Sequence, residues 1–337
     1  MKAINLPAYQ GNIIRALKSL ELVESDLAVP HSDEVIIQVS AAPCNPSDLA
    51  FIQGGYNIRK ALPAIPGFEG AGLVVDAGED PAAQALKGKR VSFFSQSDRG
   101  GSWATHIPVK ASDCIVVGDE LPPDMAACFS VNPFTAYAMV ELAQGKNTGG
   151  IIQNAAGGQV ASFINTLAEG AGLKVINIVR KEEQVKALKD DGYKHVLWQL
   201  DPSFNTSLNK LAHSFHAQIA FDATAGELSG HILRAMPEKS TLYLYGALAA
   251  RTLSEIPAAD VIFNNKVVRG FNMNEWKEDL DSEAFEQISL ELQKLFKNGT
   301  LKTKIQGSYK LSEYEQALMQ YIRNMSGGKV LILPPSE

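Results

Sequence analysis

The sequence has few cysteines and no long apolar run, and both absences limit what kind of protein it can be. Its 337 residues include only Cys44, Cys114 and Cys128, which are widely spaced and form no C-x-x-C pair. This usage predicts a reducing, cytoplasmic setting without a disulfide framework or a thiolate zinc site. No stretch approaches the roughly 18 apolar residues of a membrane span, and MKAINLPAYQGN has no apolar signal core, so we expect no membrane partner.

Basic tracts are also missing. Lysine and arginine total 31 against 37 acidic residues, which gives a formal net charge of −6 and argues against a nucleic-acid partner. The hydrophobic fraction of 45% and the charged fraction of 20% are ordinary for a soluble globular protein. Because 337 residues exceed what one hydrophobic core usually organises, we expect two domains.

Residues 1–125 form a pattern of short strands separated by turns. Proline and glycine punctuate four β-rich segments, which are EVIIQVSAAP (34–43), AGLVVDAG (71–78), KRVSFFS (89–95) and WATHIPV (103–109). This pattern predicts a mostly β domain.

From residue 126 the pattern changes to strands that alternate with helices. The predicted strands are the apolar runs IIQNAA (151–156), KVINIVR (174–180), HVLWQL (195–200), QIAFDATAG (218–226) and TLYLYGAL (241–248). Continuous apolar strands separated by helices predict an α/β fold with a doubly wound parallel sheet, whose ligands bind at the carboxyl ends of the strands.

The last part of the chain reads as helix, strand, helix and a final GKVLIL strand. We expect this tail to return to the first domain. The predicted organisation is therefore one β domain built from residues 1–125 and 271–337, with a nucleotide-binding domain at 126–270.

The turn in IIQNAAGGQVASF (151–163) departs from the dinucleotide fingerprint G-x-G-x-x-G. The three glycine positions read Ala156, Gly158 and Ala161. Gly158 keeps the position at which the backbone approaches pyrophosphate, Ala161 adds one methyl group where helix and strand pack, and Ala156 requires a negative φ. A small-residue turn without a ligand is the alternative interpretation.

The second strand of this domain ends in Arg180 and Lys181, about 20 residues beyond the turn. An acidic residue there would bind the ribose 2′-hydroxyl of NAD, whereas cations suit the 2′-phosphate of NADP. We therefore predict NADPH as the cofactor. A solvated Arg-Lys pair at a strand end is the alternative.

Several segments in order resemble the medium-chain dehydrogenase/reductase superfamily. They are NPSD (45–48), IQGGY (52–56), PGFEGAG (66–72), VNPFTAY (131–137), the turn and the closing GKVLIL. The branches most similar are the NADPH quinone reductases and the 2-enoyl-thioester reductases, and RGFNMNEWKED (269–279) resembles the second. The resemblance implies a GroES-like mostly β catalytic domain beside a Rossmann domain.

The zinc alcohol dehydrogenases of this superfamily differ from this chain at their metal. Where they have cysteine or histidine, the chain has Asn45, Phe68 and Val131, which cannot form a zinc coordination sphere. His213 and His216 have a possible ligand spacing without a third ligand nearby, so we predict solvated histidines and no catalytic metal.

Without a metal, hydride transfer needs a substrate that is already activated, such as a quinone, an enone or a 2-enoyl thioester. The resemblance makes Tyr56 the donor to the developing negative charge and Asn45 an amide donor toward the nicotinamide or the substrate carbonyl. A loop tyrosine packed on the surface and a turn asparagine before Pro46 are the alternatives. Phe68 and Trp276 are predicted apolar walls of the substrate pocket.

The predicted cofactor contacts come from the turn, the strand ends and one helix. They are Thr135, Asn154, Gly157, Gly158, Gln159, Val160, Arg180, Lys181, Tyr245 and Gly246. The predicted function is a zinc-independent, NADPH-dependent oxidoreductase acting on a small molecule with an activated double bond. The alternative is a nucleotide-binding redox sensor or structural protein with little catalysis. The apolar strand KVVRGFNM (266–273), placed at the sheet edge, predicts a homodimer.

Overall fold

A computed structural model describes residues 1–146 and 148–335 and divides the chain into two compact units. Unit 1 consists of residues 1–132 together with the chain from Glu286 onward, and unit 2 consists of residues 133–285. The boundaries expected from the sequence, after residues 125 and 270, each lie earlier in the chain. The second boundary falls within one long helix, which no change of composition marks, and the division into independent domains stays a prediction.

The strands are numbered β1 to β15 in chain order. They are β1 Lys2–Asn5, β2 Glu21–Glu24, β3 Glu34–Pro43, β4 Glu69–Ala77, β5 Arg90–Phe94, β6 His106–Lys110, β7 Cys114–Val116, β8 Gly150–Gln153, β9 Lys174–Val179, β10 Val196–Trp198, β11 Ile219–Asp222, β12 Thr241–Leu244, β13 Val267–Gly270, β14 Ile305–Lys310 and β15 Lys329–Leu333. The α-helices are α1 Ile13–Lys18, α2 Pro46–Ile52, α3 Pro81–Gln84, α4 Pro123–Ala127, α5 Asn132–Gly145, α6 Gln159–Gly170, α7 Glu182–Asp190, α8 Phe204–Ser214, α9 Glu227–Ala235, α10 Ala258–Ile262, α11 Met273–Glu278, α12 Ser282–Lys297 and α13 Tyr314–Arg323.

Unit 1 is built around a seven-stranded sheet that combines strands from residues 34–116 with strands from residues 305–333, and β1 and β2 form a separate two-stranded sheet. The order of the larger sheet is β14-β15-β3-β4-β5-β7, and β6 pairs with β3. Strand β15 pairs antiparallel with β3 through Leu331 opposite Pro43, so the C-terminal segment returns to the first unit as predicted. The core beneath the sheet includes the fully buried Phe51, Phe93 and Trp103.

Unit 2 contains a six-stranded sheet of order β10-β9-β8-β11-β12-β13, and every strand pair in it is parallel. This is the doubly wound order, in which the chain reverses direction across the sheet between β8 and β11. Leu208 of α8 and Ile232 of α9 belong to one core cluster with strand residues such as Ile176. The predicted α/β class and parallel sheet are confirmed.

The segment NPSD (45–48) opens helix α2. Asn45 precedes the helix with extended backbone, and Pro46 occupies the first helical position, where its missing N–H costs nothing. Among the residues described, no helix is long and apolar enough to cross a membrane. All three cysteines are free thiols.

Candidate active site

Tyr56 lies just after helix α2, half-buried against the core of unit 1. Its ring packs on Phe68 with a centroid distance of 5.4 Å, and its hydroxyl oxygen accepts a hydrogen bond of 3.2 Å from Gln96 Nε2. The hydroxyl hydrogen has no acceptor within the described chain, so Tyr56 keeps a proton to donate. Burial, followed by the nearby carboxylate of Asp48, raises the pKa of Tyr56, so the phenol stays protonated at neutral pH.

Phe68 is fully buried and supports the tyrosine from behind. The ring also meets Phe51 edge-on at 5.2 Å, and its backbone N–H donates to Asp48 Oδ1 at 3.2 Å. Phe68, which the sequence predicted as a pocket wall, therefore lies behind Tyr56, and Tyr56 is the ring that reaches the surface.

Asn45 belongs to a buried polar network next to this aromatic pair. Its Nδ2 donates to Glu69 Oε2 at 3.0 Å, and its Oδ1 accepts from Lys329 Nζ. Glu69 Oε1 also accepts from the backbone N–H of Val131 at 3.1 Å, and Lys329 Nζ lies 3.9 Å from Glu69 Oε2. Asn45, Glu69 and Lys329 are each at most 7% exposed. Burial raises the pKa of Glu69, while Lys329 and its hydrogen-bond donors oppose that shift.

Asp48 fixes the start of helix α2 from the same interior. It accepts hydrogen bonds from the backbone N–H of Asn45 at 2.8 Å and from that of Phe68. Burial raises its pKa to about 7, although both backbone donors favour the ionised form. Asp48 therefore links the segment that carries Asn45 to the segment that carries Phe68 and Glu69.

The positions expected for zinc ligands in relatives hold no metal-binding cluster. The Asn45 side chain and the Val131 backbone N–H both donate hydrogen bonds to Glu69, while Phe68 is packed in the core. No group of three or more histidine, cysteine or acidic side chains within the described chain could hold a metal ion. His213 lies in the last turn of α8, and His216 follows that helix with a positive φ of 48°.

The small-residue turn of unit 2 connects β8 to α6, as predicted. Helix α6 begins at Gln159, and its N-cap Gly158 provides no side chain that would satisfy the first N–H groups. A Cβ added to Gly158 would meet only the carbonyl oxygen of Ala155, at 3.1 Å, so space beside the turn is open. Gly157, Gln159 and Val160 are all partly exposed here.

The positive φ of this turn is at Ala155, at 49°, one residue before the first glycine position of the fingerprint, and Ala156 has the negative φ that the sequence predicted. Ala156 is 1% exposed and packs with Ala161, Val179 and Leu188. The turn is therefore formed without the first glycine of the fingerprint, because Ala155 adopts the left-handed conformation.

Asn154 is fully buried and ties neighbouring strand ends together. Its Nδ2 donates to Asp222 Oδ1 at 2.6 Å and to Thr224 Oγ1 at 2.8 Å, and its Oδ1 accepts from the backbone N–H of Ala223 at 2.7 Å. The hydrogen bonds of this amide therefore connect the end of β8 to the end of β11, and they stabilise the start of the turn that follows Asn154.

Tyr245 and Gly246 follow β12 at the same edge of the sheet. The backbone N–H of Tyr245 donates to the carbonyl of Asp222 at 2.9 Å, and a Cβ on Gly246 would lie 2.7 Å from the carbonyl oxygen of Ala223. The structure therefore brings together the ends of β8, β11 and β12, where a doubly wound sheet binds its ligand.

Arg180 and Lys181 lie exposed directly after β9. Lys181 Nζ is 3.6 Å from the Glu183 carboxylate, whereas the guanidinium of Arg180 has no partner among the residues that the structure places. The Arg180 carbonyl accepts from Trp198 Nε1 at 3.1 Å, which fixes the backbone at this strand end.

Thr135 and Trp276 are both in unit 2. Thr135 is 7% exposed in the first turn of α5. Trp276 of α11 is half-buried, donates from Nε1 to Glu141 Oε2 at 3.0 Å and lies 6.4 Å from the ring of Tyr137. The predicted pocket residue is thus attached to the face of α5.

Sequence reasoning did not identify Gln96, Glu69 or Lys329. Glu69 lies inside the motif PGFEGAG and Lys329 inside GKVLIL, so both belong to motifs of the family resemblance, but the sequence assigns neither of them a role. Nothing in the sequence indicates Gln96, because its relevance comes only from the position of the Tyr56 hydroxyl.

Comparison with known proteins places this architecture in a family. The family model described as Alcohol dehydrogenase GroES-like domain matches residues 31–119, and that described as Zinc-binding dehydrogenase matches residues 160–292. The mitochondrial enoyl-[acyl-carrier-protein] reductase of Rattus norvegicus is 29% identical, over 91% of this chain and 83% of its own length. The Homo sapiens protein of the same name is 28% identical, over 94% and 85%.

Solved structures of similar proteins indicate the same family as these relatives. A Mesorhizobium loti protein described as an NADPH:quinone reductase is 32% identical with a TM-score of 0.92, over 99% of this chain and 98% of that chain. A mutant form of enoyl thioester reductase from Candida tropicalis has the same fold, with a TM-score of 0.78 at 22% identity over 98% and 99% of the two chains. The chain therefore belongs to the medium-chain dehydrogenase/reductase superfamily of oxidoreductases, in the branch of the quinone reductases and enoyl-thioester reductases.

Proposed function

We propose that this protein is a zinc-independent, NADPH-dependent reductase of a small molecule with an activated double bond, and that a 2-enoyl thioester is the preferred substrate class. The observation that carries the proposal is the Tyr56 hydroxyl, which is held by Gln96 and retains its own proton. The names of the 28–29% identical relatives support the thioester, and that of the Mesorhizobium loti protein supports the quinone as the second candidate.

Unit 2 has the features that NADPH requires. The uncapped start of α6 and the open space beside Gly158 suit a pyrophosphate, because helix N-termini attract anions. The unpaired guanidinium of Arg180 suits the 2′-phosphate. We assign Gly157, Gly158, Gln159 and Val160 to the pyrophosphate, and propose contacts from Thr135, Lys181, Tyr245 and Gly246 to the rest of the cofactor.

NADPH, when bound, would supply the hydride. We assign residues of unit 1 to stabilise the negative charge that hydride addition creates on the substrate. Addition at the β-carbon of an enoyl thioester places negative charge on the carbonyl oxygen. We assign the second N–H of Asn45 to that oxygen and the protonated Tyr56 to the enolate, either as hydrogen-bond donor or as the acid that protonates the α-carbon. Neither role needs a metal, which agrees with the ligand-poor positions Asn45, Phe68 and Val131.

The alternative, a nucleotide-binding sensor or structural protein, is favoured by the departures from the glycine fingerprint at Ala156 and Ala161. The structure weakens that argument, because Ala155 supplies the positive φ and Gly158 remains open. The same proposal includes a cytoplasmic protein that assembles as a homodimer.

The test is a panel of quinones and 2-enoyl thioesters with NADPH consumption as the readout, repeated with Tyr56→Phe. Loss of a positioned donor typically lowers turnover by about two to three orders of magnitude, so enoyl reduction should fall by that factor. Quinone reduction should change only a few-fold, because its aromatic oxyanion is already stabilised and solvent can protonate it.

Tyr309→Phe is the matched control, since Tyr309 lies in β14 and is not part of the proposed site. NADPH affinity, measured by fluorescence, should be unchanged in both variants. Equal losses on both substrate classes would mean that Tyr56 positions the loop. A wild-type protein that binds NADPH and reduces neither class would favour the sensor.

A further inference from the structure

Glu69 and Lys329 form a buried ion pair, and both of its members also bond to Asn45. Glu69 Oε1 accepts in addition from the backbone N–H of Val131 and from Ser130 Oγ. Lys329 is the first residue of β15 and Glu69 the first residue of β4, and both strands pair with β3, which ends two residues before Asn45. The backbone N–H of Cys44 also donates to the carbonyl of Val330 at 2.8 Å. The sheet register therefore brings two chain segments, far apart in sequence, to the same asparagine.

The two charged groups contact opposite ends of the Asn45 amide. A lysine ammonium can only donate, and it lies on Oδ1; an ionised carboxylate can only accept, and it lies on Nδ2. Rotation of the amide by half a turn would oppose donor to donor and acceptor to acceptor. A neutral pair of partners, such as two hydroxyls, would allow both orientations.

This arrangement leaves one group of the amide unused. Asn45 has two Nδ2 hydrogens, of which Glu69 takes one, and the second has no acceptor among residues 1–146 and 148–335. Asn45 is connected to Tyr56 through consecutive residues, because Glu69 holds the amide and Phe68 packs on the tyrosine ring. Two unused hydrogens, one on a phenol and one on an amide, thus belong to the same small part of unit 1.

We propose that Glu69 and Lys329 are positioning residues that hold the Asn45 amide in one orientation, so that its second N–H is the donor for the carbonyl oxygen of the substrate. This inference rests on the proposed reductase function. In a metal enzyme the metal would hold the substrate oxygen in place. Here the ion pair would do so indirectly, because its hydrogen bonds fix the Asn45 amide that donates to that oxygen. Its charges sum to zero, so the arrangement adds no net charge to the interior.

A double-mutant cycle on turnover separates this role from simple stabilisation of the fold. One arm is Asn45→Ala, the other is the charge-neutral pair Glu69→Gln with Lys329→Met, and the third combines them. Removal of one oxyanion donor costs about 100- to 1000-fold in kcat. If the pair acts through Asn45, each arm should lower kcat for the enoyl thioester by a similar factor, and the combination should cost no more than either arm.

Asp260→Asn with Lys266→Met is the matched control, because that buried ion pair has an Nζ to Oδ1 distance of 2.9 Å and lies in unit 2. It should lower the free energy of unfolding without lowering kcat, and its effects should be independent of Asn45→Ala. If the combined Glu69/Lys329 variant does not fold, the near-isosteric Glu69→Gln alone takes its place in the cycle.

A second readout needs neither substrate nor cofactor. In protein labelled with ¹⁵N-asparagine, the side-chain NH₂ signals of Asn45, identified by their absence in Asn45→Ala, should be two well-separated resonances in wild type. They should move toward each other in the pair variant, as expected for an amide that samples both orientations. NADPH affinity should stay within about twofold in every variant.

The outcomes distinguish the inference from the function on which it rests. Losses in kcat that multiply across the cycle, or unchanged Asn45 signals in the pair variant, would overturn the positioning role while leaving the reductase intact. A wild-type protein that reduces neither quinones nor enoyl thioesters would overturn the function and the donor role together.

Discussion

At the scale of single residues, Lys60 carries a positive charge into the interior of unit 1. It is 4% exposed, its Nζ donates to the carbonyl of Gly100, and it lies 5.8 Å and 5.4 Å from the ring centroids of Phe51 and Phe68. Burial lowers the pKa of Lys60 to about 8, against the opposing influence of Asp98 and Asp48. The lysine therefore sits behind the same ring that supports Tyr56.

Lys60→Met should change how stability depends on pH. In the unfolded chain the lysine has a pKa of about 10.4, so between about pH 8 and pH 10 the unfolded state binds more protons than the folded state, and this group makes the free energy of unfolding rise with pH. The variant lacks that rise, so its stability relative to wild type should fall by up to about 3 kcal/mol between about pH 7 and pH 10.

Urea denaturation of both proteins at several pH values measures this difference. Lys186→Met is the control for the loss of a lysine, because the Lys186 side chain is 81% exposed. A constant difference between Lys60→Met and wild type across the range would show that the folded pKa is not lowered.

We predict that Arg180 determines the preference for NADPH over NADH. A charge-assisted hydrogen bond to the 2′-phosphate is worth about 1.5–3 kcal/mol, so Arg180→Ala should weaken NADPH binding roughly ten- to hundredfold and leave NADH binding nearly unchanged. Lys181→Ala should have a smaller effect, because Lys181 is already near Glu183.

Fluorescence titration with both cofactors tests the assignment, with Lys210→Ala on α8 as the control for loss of a surface charge. Equal losses for NADPH and NADH in Arg180→Ala would contradict the placement of the 2′-phosphate.

At the scale of elements, the β8–α6 turn depends on one alanine. A left-handed conformation costs a non-glycine residue about 1–2 kcal/mol, while glycine costs about 0.5–1 kcal/mol in additional unfolded-state entropy. Because Ala155 has a φ of 49°, Ala155→Gly should raise the free energy of unfolding by about 0.5–1 kcal/mol and keep NADPH affinity.

Ala156→Gly is the matched comparison, one residue further on. Ala156 is 1% exposed and its methyl group packs in the core, so this variant should lose about 1 kcal/mol or more. Chemical denaturation of the two variants gives both values. Stabilisation by Ala156→Gly instead would place the strained residue at Ala156 and contradict the assignment to Ala155.

Most helices and strands of unit 2 follow from the sequence because each carries its own periodic signal. The apolar run KVINIVR was predicted as a strand at 174–180, and β9 covers Lys174–Val179. The position of the positive φ was not predicted, because Ala155 and Ala156 are chemically identical and only the packing of Ala156 against Val179 decides between them.

The candidate site was predicted in part for a related reason. Tyr56 and Asn45 lie in motifs that a family resemblance can identify. Their partners Gln96 and Lys329 cannot be found that way, because hydrogen bonds between residues separated by 40 and 284 positions depend on the sheet register. Asn154 was expected to contact the cofactor, and only the structure shows its amide engaged by Asp222.

At the scale of the whole molecule, unit 2 has an open edge with an apolar surface beside it. Strand β13 pairs only with β12 within the six-stranded sheet, as the sequence predicted for this segment. The preceding helix α10 and its C-cap residue carry three exposed apolar side chains, Val261 at 48%, Ile262 at 64% and Phe263 at 77%. An unpaired strand edge with a neighbouring apolar patch invites association with a second copy.

We predict a homodimer formed through this edge, in which two β13 strands pair around a twofold axis. Light scattering at micromolar concentration should then give twice the 36.4 kDa chain mass, and Phe263→Asp should give the monomer mass because it places a charge in the contact. Leu290→Asp is the control, since Leu290 is equally apolar and 59% exposed but lies on α12 in unit 1. A monomeric wild type, or a dimer that Leu290→Asp disrupts and Phe263→Asp does not, would exclude this edge as the interface.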